Sequence, residues 1–149
     1  MKKIIMTLLL VLLGATASYA FPDSYVIDRD KLPADAQQFL KDYFPKARVS
    51  LIKIDRHLLK KPDYEVRLTN GTTIEFKNSG QWKEVDCKDK AVPDGIVPKR
   101  IKQYVTKNYP DVKITKIEKK SGGYEIELGD NIELKFDLQG TFKSVKMDD

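Results

Sequence analysis

Cysteine, histidine and tryptophan each occur only once in this chain. Because Cys87 is alone, an internal disulfide is excluded and the fold must depend on its apolar core, although exported proteins often carry such bridges. His57 lies in a stretch rich in lysine and leucine, without the partners that a metal site or an activated nucleophile needs. We therefore interpret Cys87 as an inert thiol, with an intermolecular disulfide as the alternative.

Recognisable catalytic motifs are also missing. The sequence has no glycine-rich phosphate loop, no Gly-x-Ser-x-Gly elbow and no pair of cysteines. Carboxylate pairs such as Glu65 with Glu75 do occur, but a glycosidase would need such a pair in a cleft, with one pKa raised. Solvated charges on a strand face are the commoner explanation, and Arg67 beside Glu75 would be an ordinary cross-strand pair. The sequence predicts a protein without enzymatic activity and without a cofactor.

Charge is plentiful but is not concentrated in any segment. Lysine and arginine number 27 against 22 aspartates and glutamates, for a net charge of +5. Acidic and basic residues are interleaved throughout, whereas nucleic-acid-binding proteins gather lysine and arginine on one face. We therefore predict that no nucleic acid is a partner.

The main apolar run of the chain lies near its start. Residues 1–20 combine Lys2-Lys3, an apolar run from Ile4 to Leu13, and Ser18-Tyr19-Ala20, which has the small residues that signal peptidase requires. The run is shorter than the ~20 residues that span a bilayer. We predict a cleaved secretory signal, no stable membrane anchor, and a mature chain that begins near Phe21 in the periplasm or outside the cell.

An internal repeat organises the rest of the chain. Tyr64-Glu65-Val66-Arg67-Leu68 corresponds to Tyr124-Glu125-Ile126-Glu127-Leu128, and similar strands, turns and aromatic residues follow both. The match extends upstream with a different offset, because one loop of the second copy is shorter. The predicted division is a lead-in at residues 21–31, a first repeat at 32–86, a linker at 87–96 and a second repeat at 97–149.

Each repeat begins with a short amphipathic helix, predicted from Pro33 to about Phe44 and from Pro98 to about Tyr109. Helices of about three turns do not persist alone in water, so both must pack on a sheet. The inward stripes are Ala36, Phe39, Leu40 and Tyr43 in the first helix, and Ile101, Tyr104 and Val105 in the second.

An antiparallel meander follows each helix. The first strands, from Val49 to Arg56 and from Val112 to Glu118, alternate imperfectly, which indicates a bulge or a twist. Asn70-Gly71 predicts a hairpin with a type I′ turn. The predicted fold class is α+β, a tandem repeat of a helix plus a four-stranded antiparallel meander. The two units share one open sheet of up to eight strands, with helices on one face.

The opposite face of that sheet has no helical cover. Trp82 lies near a strand end and is either a core residue or an interface anchor; its counterpart Phe142 favours the core. Interface centres are depleted in lysine and glutamate, so a merely solvated face is the alternative to a binding surface. The charged residues that form the predicted partner-binding surface are Glu65, Arg67, Glu75, Lys77, Glu125, Glu127, Glu133 and Lys135.

These motifs together resemble the PepSY-like family of exported bacterial proteins, which is grouped with the fold of β-lactamase inhibitor proteins. The resemblance covers residues 32–147 and includes Phe44-Pro45, Tyr109-Pro110, Gly80-Gln81-Trp82 and Gly140-Thr141-Phe142. It implies an exported protein that is not an enzyme. Relatives by fold inhibit enzymes, and the β-lactamase inhibitor uses a concave sheet face. Those inhibitors carry disulfides, which this chain cannot form, and none of their contact residues is carried over.

Two functions are expected. The first is binding of another envelope protein through the uncovered sheet face, which includes inhibition of an enzyme such as a peptidase or a β-lactamase-like hydrolase. The alternative is a periplasmic protein that binds or senses a small molecule or peptide in an apolar cleft between the repeats.

Overall fold

The computed structural model describes residues 22–56, 61–129 and 131–147. The predicted signal sequence and His57 lie outside the described residues. A short 3₁₀ turn, Arg29–Lys31, precedes the first helix.

Two helices occur where the sequence predicts them, α1 at Ala34–Tyr43 and α2 at Lys99–Asn108. Each begins one residue later than predicted, because the proline is the N-cap and its ψ of 149° at Pro33 or 138° at Pro98 is not helical. Each also ends one residue early, because the C-cap precedes a proline, which disfavours helical backbone at the position before it. These two C-caps are Phe44 and Tyr109.

The strands of the described residues form one open antiparallel sheet in chain order. Their bounds are β1 Ser24–Val26, β2 Val49–Asp55, β3 Asp63–Leu68, β4 Thr73–Phe76, β5 Trp82–Asp86, β6 Ile114–Lys120, β7 Gly123–Leu128, β8 Ile132–Phe136 and β9 Phe142–Met147. With two helices on this nine-stranded sheet the fold class is α+β, as predicted. One helix precedes β2–β5, and the other precedes β6–β9.

The lead-in, for which the sequence favours an extended segment or an edge strand, contains β1, which joins the eight strands of the two halves as a ninth. Part of the expected extended lead-in pairs with β2, with Val26 opposite Ile52 and Tyr25 opposite Lys53. The sheet therefore begins at β1 and ends at β9.

The hairpin between β3 and β4 is present, but the predicted type I′ turn is wrong. That turn needs a positive φ at both central residues, and Gly71 has one (+88°) while Asn70 does not. The Gly71 N–H donates to the Leu68 carbonyl at 3.0 Å, and the Leu68 N–H donates to the Thr72 carbonyl at 2.9 Å. This pattern is a tight turn closed by a glycine bulge, and the Asn70 side chain accepts the Thr72 N–H at 3.0 Å.

The imperfect alternation of the first strands has the predicted cause. The pairing of β2 with β3 shifts register between Val49 and Leu51, and the pairing of β6 with β7 shifts between Ile114 and Lys116. Such bulges change which face the following side chains occupy. The strand predicted from Val112 to Glu118 is displaced by two residues in the structure, where β6 runs from Ile114 to Lys120.

One apolar core lies between the helices and the sheet. From the helices it contains Ala36, Leu40, Ile101 and Val105, each between 0 and 4% exposed. Each strand from β2 to β8 contributes a fully buried branched residue: Ile52, Val66, Ile74, Val85, Ile117, Ile126 and Leu134. Helices this short are held by such burial, at about 1.5–3 kcal/mol for each large aliphatic side chain.

Aromatic rings join each helix to its own meander. Phe39 meets Phe76 edge to face at 5.5 Å, and Tyr104 meets Phe136 in the same way at 5.4 Å. The ring of Trp82 lies 6.5 Å from that of Phe39, and the partly buried side chain packs against the core, as the sequence favoured.

The segment between the two halves is mostly exposed but buries the side chains of Cys87, Val92 and Ile96 in the core. Cys87 is 2% exposed and its N–H donates to the Thr115 carbonyl at 2.9 Å, while Val92 donates to the Ile114 carbonyl at 2.8 Å. Burial raises the pKa of the Cys87 thiol. A buried protonated thiol fits the inert role, since an intermolecular disulfide would require the side chain to reach the surface.

Candidate functional site: the helix-free face of the sheet

The alternation of each strand sends apolar side chains to the core and charged side chains to the opposite face, which we call the open face. Of the eight residues predicted to bind a partner, seven lie on strands of this face: Glu65, Arg67, Glu75, Glu125, Glu127, Glu133 and Lys135. Lys77 is the exception. It follows the end of β4, where its N–H donates to the Gln81 carbonyl, so it lies at the margin of the open face.

A continuous row of directly paired residues crosses the open face. Cross-strand pairing links Lys53 to Glu65, Glu65 to Glu75, Glu75 to Glu84, Glu84 to Glu118, Glu118 to Glu125 and Glu125 to Lys135. Five consecutive strands therefore each place a glutamate in what we call the glutamate row: Glu65, Glu75, Glu84, Glu118 and Glu125.

Glu84 and Glu118 are the members of this row that the sequence analysis did not assign to the site. Glu84 was missed because the sequence analysis placed Trp82 near a strand end without assigning the residues after it, whereas β5 runs from Trp82 to Asp86. Glu118 was missed because the bulge in β6 prevents the sequence pattern from showing which of its residues lie on the open face. The alternation from Glu84 to Val85 to Asp86 is the signal that could have identified the longer strand.

Basic side chains flank the glutamate row and pair with it. Lys83 contacts Glu75 at 3.0 Å and Lys120 contacts Glu125 at 2.8 Å. The predicted cross-strand pair of Arg67 with Glu75 is not formed. Arg67 instead contacts Glu65 at 2.8 Å on its own strand, because its direct neighbour on β4 is Thr73.

The second half of the face carries a similar network. Lys135 lies 3.1 Å from Glu125 and 3.4 Å from Glu133, so the two carboxylates share one ammonium group. Lys116 lies 3.4 Å from both Glu84 and Glu127. These contacts hold long side chains in defined positions, although each half-exposed pair contributes only about 0.2–1 kcal/mol.

The pKa values of two glutamates in the row are shifted in opposite directions. Burial raises the pKa of Glu84, against the effect of Lys116. The hydrogen bond from Lys120, with help from Lys135, lowers the pKa of Glu125. Two glutamates of one row therefore differ in the sign of their pKa shift.

A depression of about 290 Å³ at the turn between β6 and β7 is lined by Tyr124 and Phe136 together with four charged side chains. Two more depressions of the described residues lie on the open face and are lined largely by charged groups. One of about 510 Å³ is lined by residues of β3, β4 and β5 together with Gly71 and Lys88. A smaller one of about 180 Å³ is lined by Lys116, Glu118, Glu125, Glu127 and Glu133. At the junction of the halves β5 pairs directly with β6, so these strands leave no apolar cleft between them.

The described part of the chain also bears on two other kinds of function, metal binding and membrane insertion. There, no group of three or more histidine, cysteine, aspartate or glutamate side chains is arranged to hold a metal ion. None of the helices of those ranges has the length and apolar character required to cross a bilayer.

Comparison with solved structures finds close similarity to exported bacterial proteins. A "putative calcium-regulated periplasmic protein" from Bacteroides thetaiotaomicron is 42% identical, with a TM-score of 0.78 and 83% of this chain and 96% of that chain covered. A "putative periplasmic protein of unknown function" from Bacteroides vulgatus is 36% identical, with a TM-score of 0.80 and coverages of 84% and 99%. Another "putative periplasmic protein" of the same species is 39% identical, with a TM-score of 0.78 and coverages of 85% and 98%.

Comparison with curated proteins finds no match. The descriptions of these three relatives name no catalytic activity, and one of the relatives is described as of unknown function. Residues 62–144 match the family described as "putative beta-lactamase-inhibitor-like, PepSY-like". The matched residues span β3 through the first half of β9 and include the whole glutamate row. This chain therefore belongs to the PepSY-like family.

Proposed function

We propose that this chain is an exported, non-catalytic protein that binds another envelope protein through its open face. The observation that carries the proposal is the glutamate row, which crosses five strands on a sheet face that neither helix covers. The description of the solved relatives as periplasmic supports the location, as does the signal sequence that residues 1–20 predict.

The ion pairs on the open face support binding in a specific way. Carboxylates opposite one another repel, so a row of five is an unfavourable arrangement that flanking lysines only partly offset. Natural proteins accept such local costs where function needs them. Side chains that are already ordered by Lys83, Lys120 and Lys135 also lose less conformational freedom on binding.

The binding residues under this proposal are the seven predicted strand residues of the open face, with Glu84 and Glu118 added and Lys77 at the margin. Charged faces of this kind chiefly provide partner selection and fast association. We propose inhibition of an envelope hydrolase as the form that this binding takes, because the family is described as inhibitor-like.

We also infer that the two halves are copies of one helix-plus-meander unit, as in the fold of β-lactamase inhibitor proteins. Their equal order of elements and matched aromatic contacts support this.

The alternative, a small-molecule or peptide-sensing protein, receives less support. Such sites are concave and mainly apolar, whereas the two depressions on the open face are lined largely by charged side chains. The depression at the turn between β6 and β7 includes Tyr124 and Phe136, but four charged side chains also line it. One relative is described as calcium-regulated, so calcium belongs in the test of this chain as a variable.

The proposal is tested by capture from an envelope extract of the source organism. The mature chain from Phe21 is immobilised as wild type, as an open-face variant with Glu75→Lys and Glu118→Lys, and as a control with Asp35→Lys and Asp42→Lys on α1. Both variants change the net charge equally, and thermal unfolding checks that both fold. Each capture is run with calcium and with a chelator.

Wild type and the α1 control are expected to retain the same protein in stoichiometric amount, and the open-face variant is expected to lose it. Inhibition of a captured hydrolase by the soluble chain would support the inhibitor form. Equal capture by all three chains, or no capture by wild type in either calcium condition, would contradict binding through the open face.

A further inference from the structure

The last strand of the sheet leaves apolar side chains uncovered. Val145 and Met147 of β9 point to the same side as the core, since they pair with Leu134 and Ile132 of β8. Yet Val145 is 43% exposed and Met147 is 64% exposed. The apolar face of the sheet therefore continues one strand beyond the residues that bury it.

The first half of the molecule shows what covers the equivalent strand. β5 holds the place after β4 that β9 holds after β8, and at offset 60 Val85 corresponds to Val145 and Cys87 to Met147. Val85 is 0% exposed and Cys87 is 2% exposed. The difference is that β5 has a further strand beside it: β6 pairs with it, placing Ile117 opposite Val85.

The opposite edge of the sheet is already occupied. There β1 pairs with β2 and places Val26 opposite Ile52, as Val85 lies opposite Ile117 at the junction of the halves. A second copy therefore has no vacant β2 edge to offer to β9, and the outer edge of β1 is only three residues long, half the length of β9. Pairing of β9 with itself in two copies would bring the exposed Lys143 of both chains to one seam, where like charges repel.

We propose that the outer edge of β9 is a second binding site, which accepts an extended polypeptide strand from another exported protein. Edge strands offer a row of backbone donors and acceptors, and strand addition uses them for affinity while alternate side chains give specificity. The strand it accepts carries a branched apolar residue opposite Val145, in the place that Ile117 takes beside Val85. It carries acidic residues on the other face, where they meet the exposed lysines of β9.

The site is separate from the glutamate row, which ends on β7, because it uses the backbone edge of β9 and the side chains of that strand. Its test does not depend on the envelope partner. The probe is a short synthetic peptide of about nine residues that alternates valine with glutamate and covers the length of β9. Two control peptides replace the central valine by proline, which removes a backbone donor, or replace every glutamate by lysine.

Binding is followed by two-dimensional NMR of the isotope-labelled mature chain and by fluorescence anisotropy of labelled peptide. The valine–glutamate peptide is expected to shift the amide signals of Ser144 to Met147 and to slow their hydrogen exchange. Both control peptides are expected to bind at least about ten-fold more weakly. Val145→Glu and Met147→Glu should each weaken binding to a similar extent. Because Met147 is the more exposed of the two residues, its variant still tests the site if Val145→Glu fails to fold. Ile27→Glu beside β1 should leave binding unchanged.

Three results would overturn the proposal. No saturable binding at millimolar peptide would exclude an edge site of useful affinity. Shifts confined to the open face or to β1 would place the peptide elsewhere. A wild-type dimer in sedimentation that Val145→Glu dissociates would show that the occupant is a second copy.

Discussion

Replacing Glu84 by glutamine is expected to make the protein more stable at neutral pH. Glu84 lies at the middle of the glutamate row, directly opposite Glu75 on one side and Glu118 on the other. Its ion pair with Lys116 is long, at 3.4 Å. Burial raises the pKa of Glu84, so the folded state disfavours its charged form.

The expected change in the free energy of unfolding follows from these contacts of Glu84. Each like-charged cross-strand neighbour costs about 0.2–1 kcal/mol. The partly buried ion pair with Lys116 offsets about 0.2–1 kcal/mol of that cost. Glu84→Gln keeps the shape of the side chain, so the net gain is about 0.5 kcal/mol in the free energy of unfolding. That gain corresponds to a rise of about 2 °C in Tm for a domain of this size.

Glu125→Gln is the matched control, because it removes a charge from the same row with the opposite expected sign. Glu125 accepts from Lys120 at 2.8 Å and from Lys135 at 3.1 Å, and these contacts lower its pKa. The variant should lose about 0.5–1 kcal/mol at neutral pH.

The two variants should also differ in pH dependence. The folded-state pKa of Glu84 lies above its unfolded value of about 4.3, so wild type loses stability relative to Glu84→Gln as pH rises through that region. For Glu125 the folded-state pKa is lowered, so its contribution disappears as pH falls through the same region. Urea unfolding followed by the fluorescence of Trp82, measured at neutral and at acidic pH, provides the assay. A lower midpoint for Glu84→Gln at neutral pH, or the same sign for both variants, would refute this reasoning.

Three further predictions concern the core and the backbone. Gly123→Ala should destabilise the fold by more than ~3 kcal/mol, because its Cβ would meet the Phe136 carbonyl oxygen, whereas Gly122→Ala should be nearly neutral in urea unfolding. Leu40→Ala should lower the free energy of unfolding by about 2–5 kcal/mol, since the side chain is fully buried; a loss below ~1 kcal/mol would contradict its packing. Cys87 should react with a thiol reagent only as fast as the chain opens, and immediate reaction of the native protein would show that the thiol is accessible.

Much of the fold could be predicted because local pattern and tertiary packing agree. The stripe containing Ala36 and Leu40 is buried as expected, and both helices end where a proline prevents continuation. Alternation along β3, β4, β7 and β8 correctly separated core residues from charged ones, because a strand facing a core on one side must alternate.

The remaining features depend on pairings that one segment does not determine. Asn70-Gly71 predicted a type I′ turn, but the structure closes with a positive φ at Gly71 alone. Bulges set which face the residues of β6 occupy, so the place of Glu118 in the row required the pairing with β5 and β7. The row itself is a property of cross-strand register and has no counterpart in any continuous stretch of sequence.

The measurement that most directly tests binding through the open face is carboxylate footprinting. The mature chain is labelled with a carbodiimide and an amine, free and in the presence of envelope extract, and each modified side chain is quantified by mass spectrometry. The account predicts that the glutamates of the row become protected in the extract while Asp35 and Asp42 on α1 are labelled equally in both samples. Protection of the α1 carboxylates with full labelling of the glutamate row would contradict it.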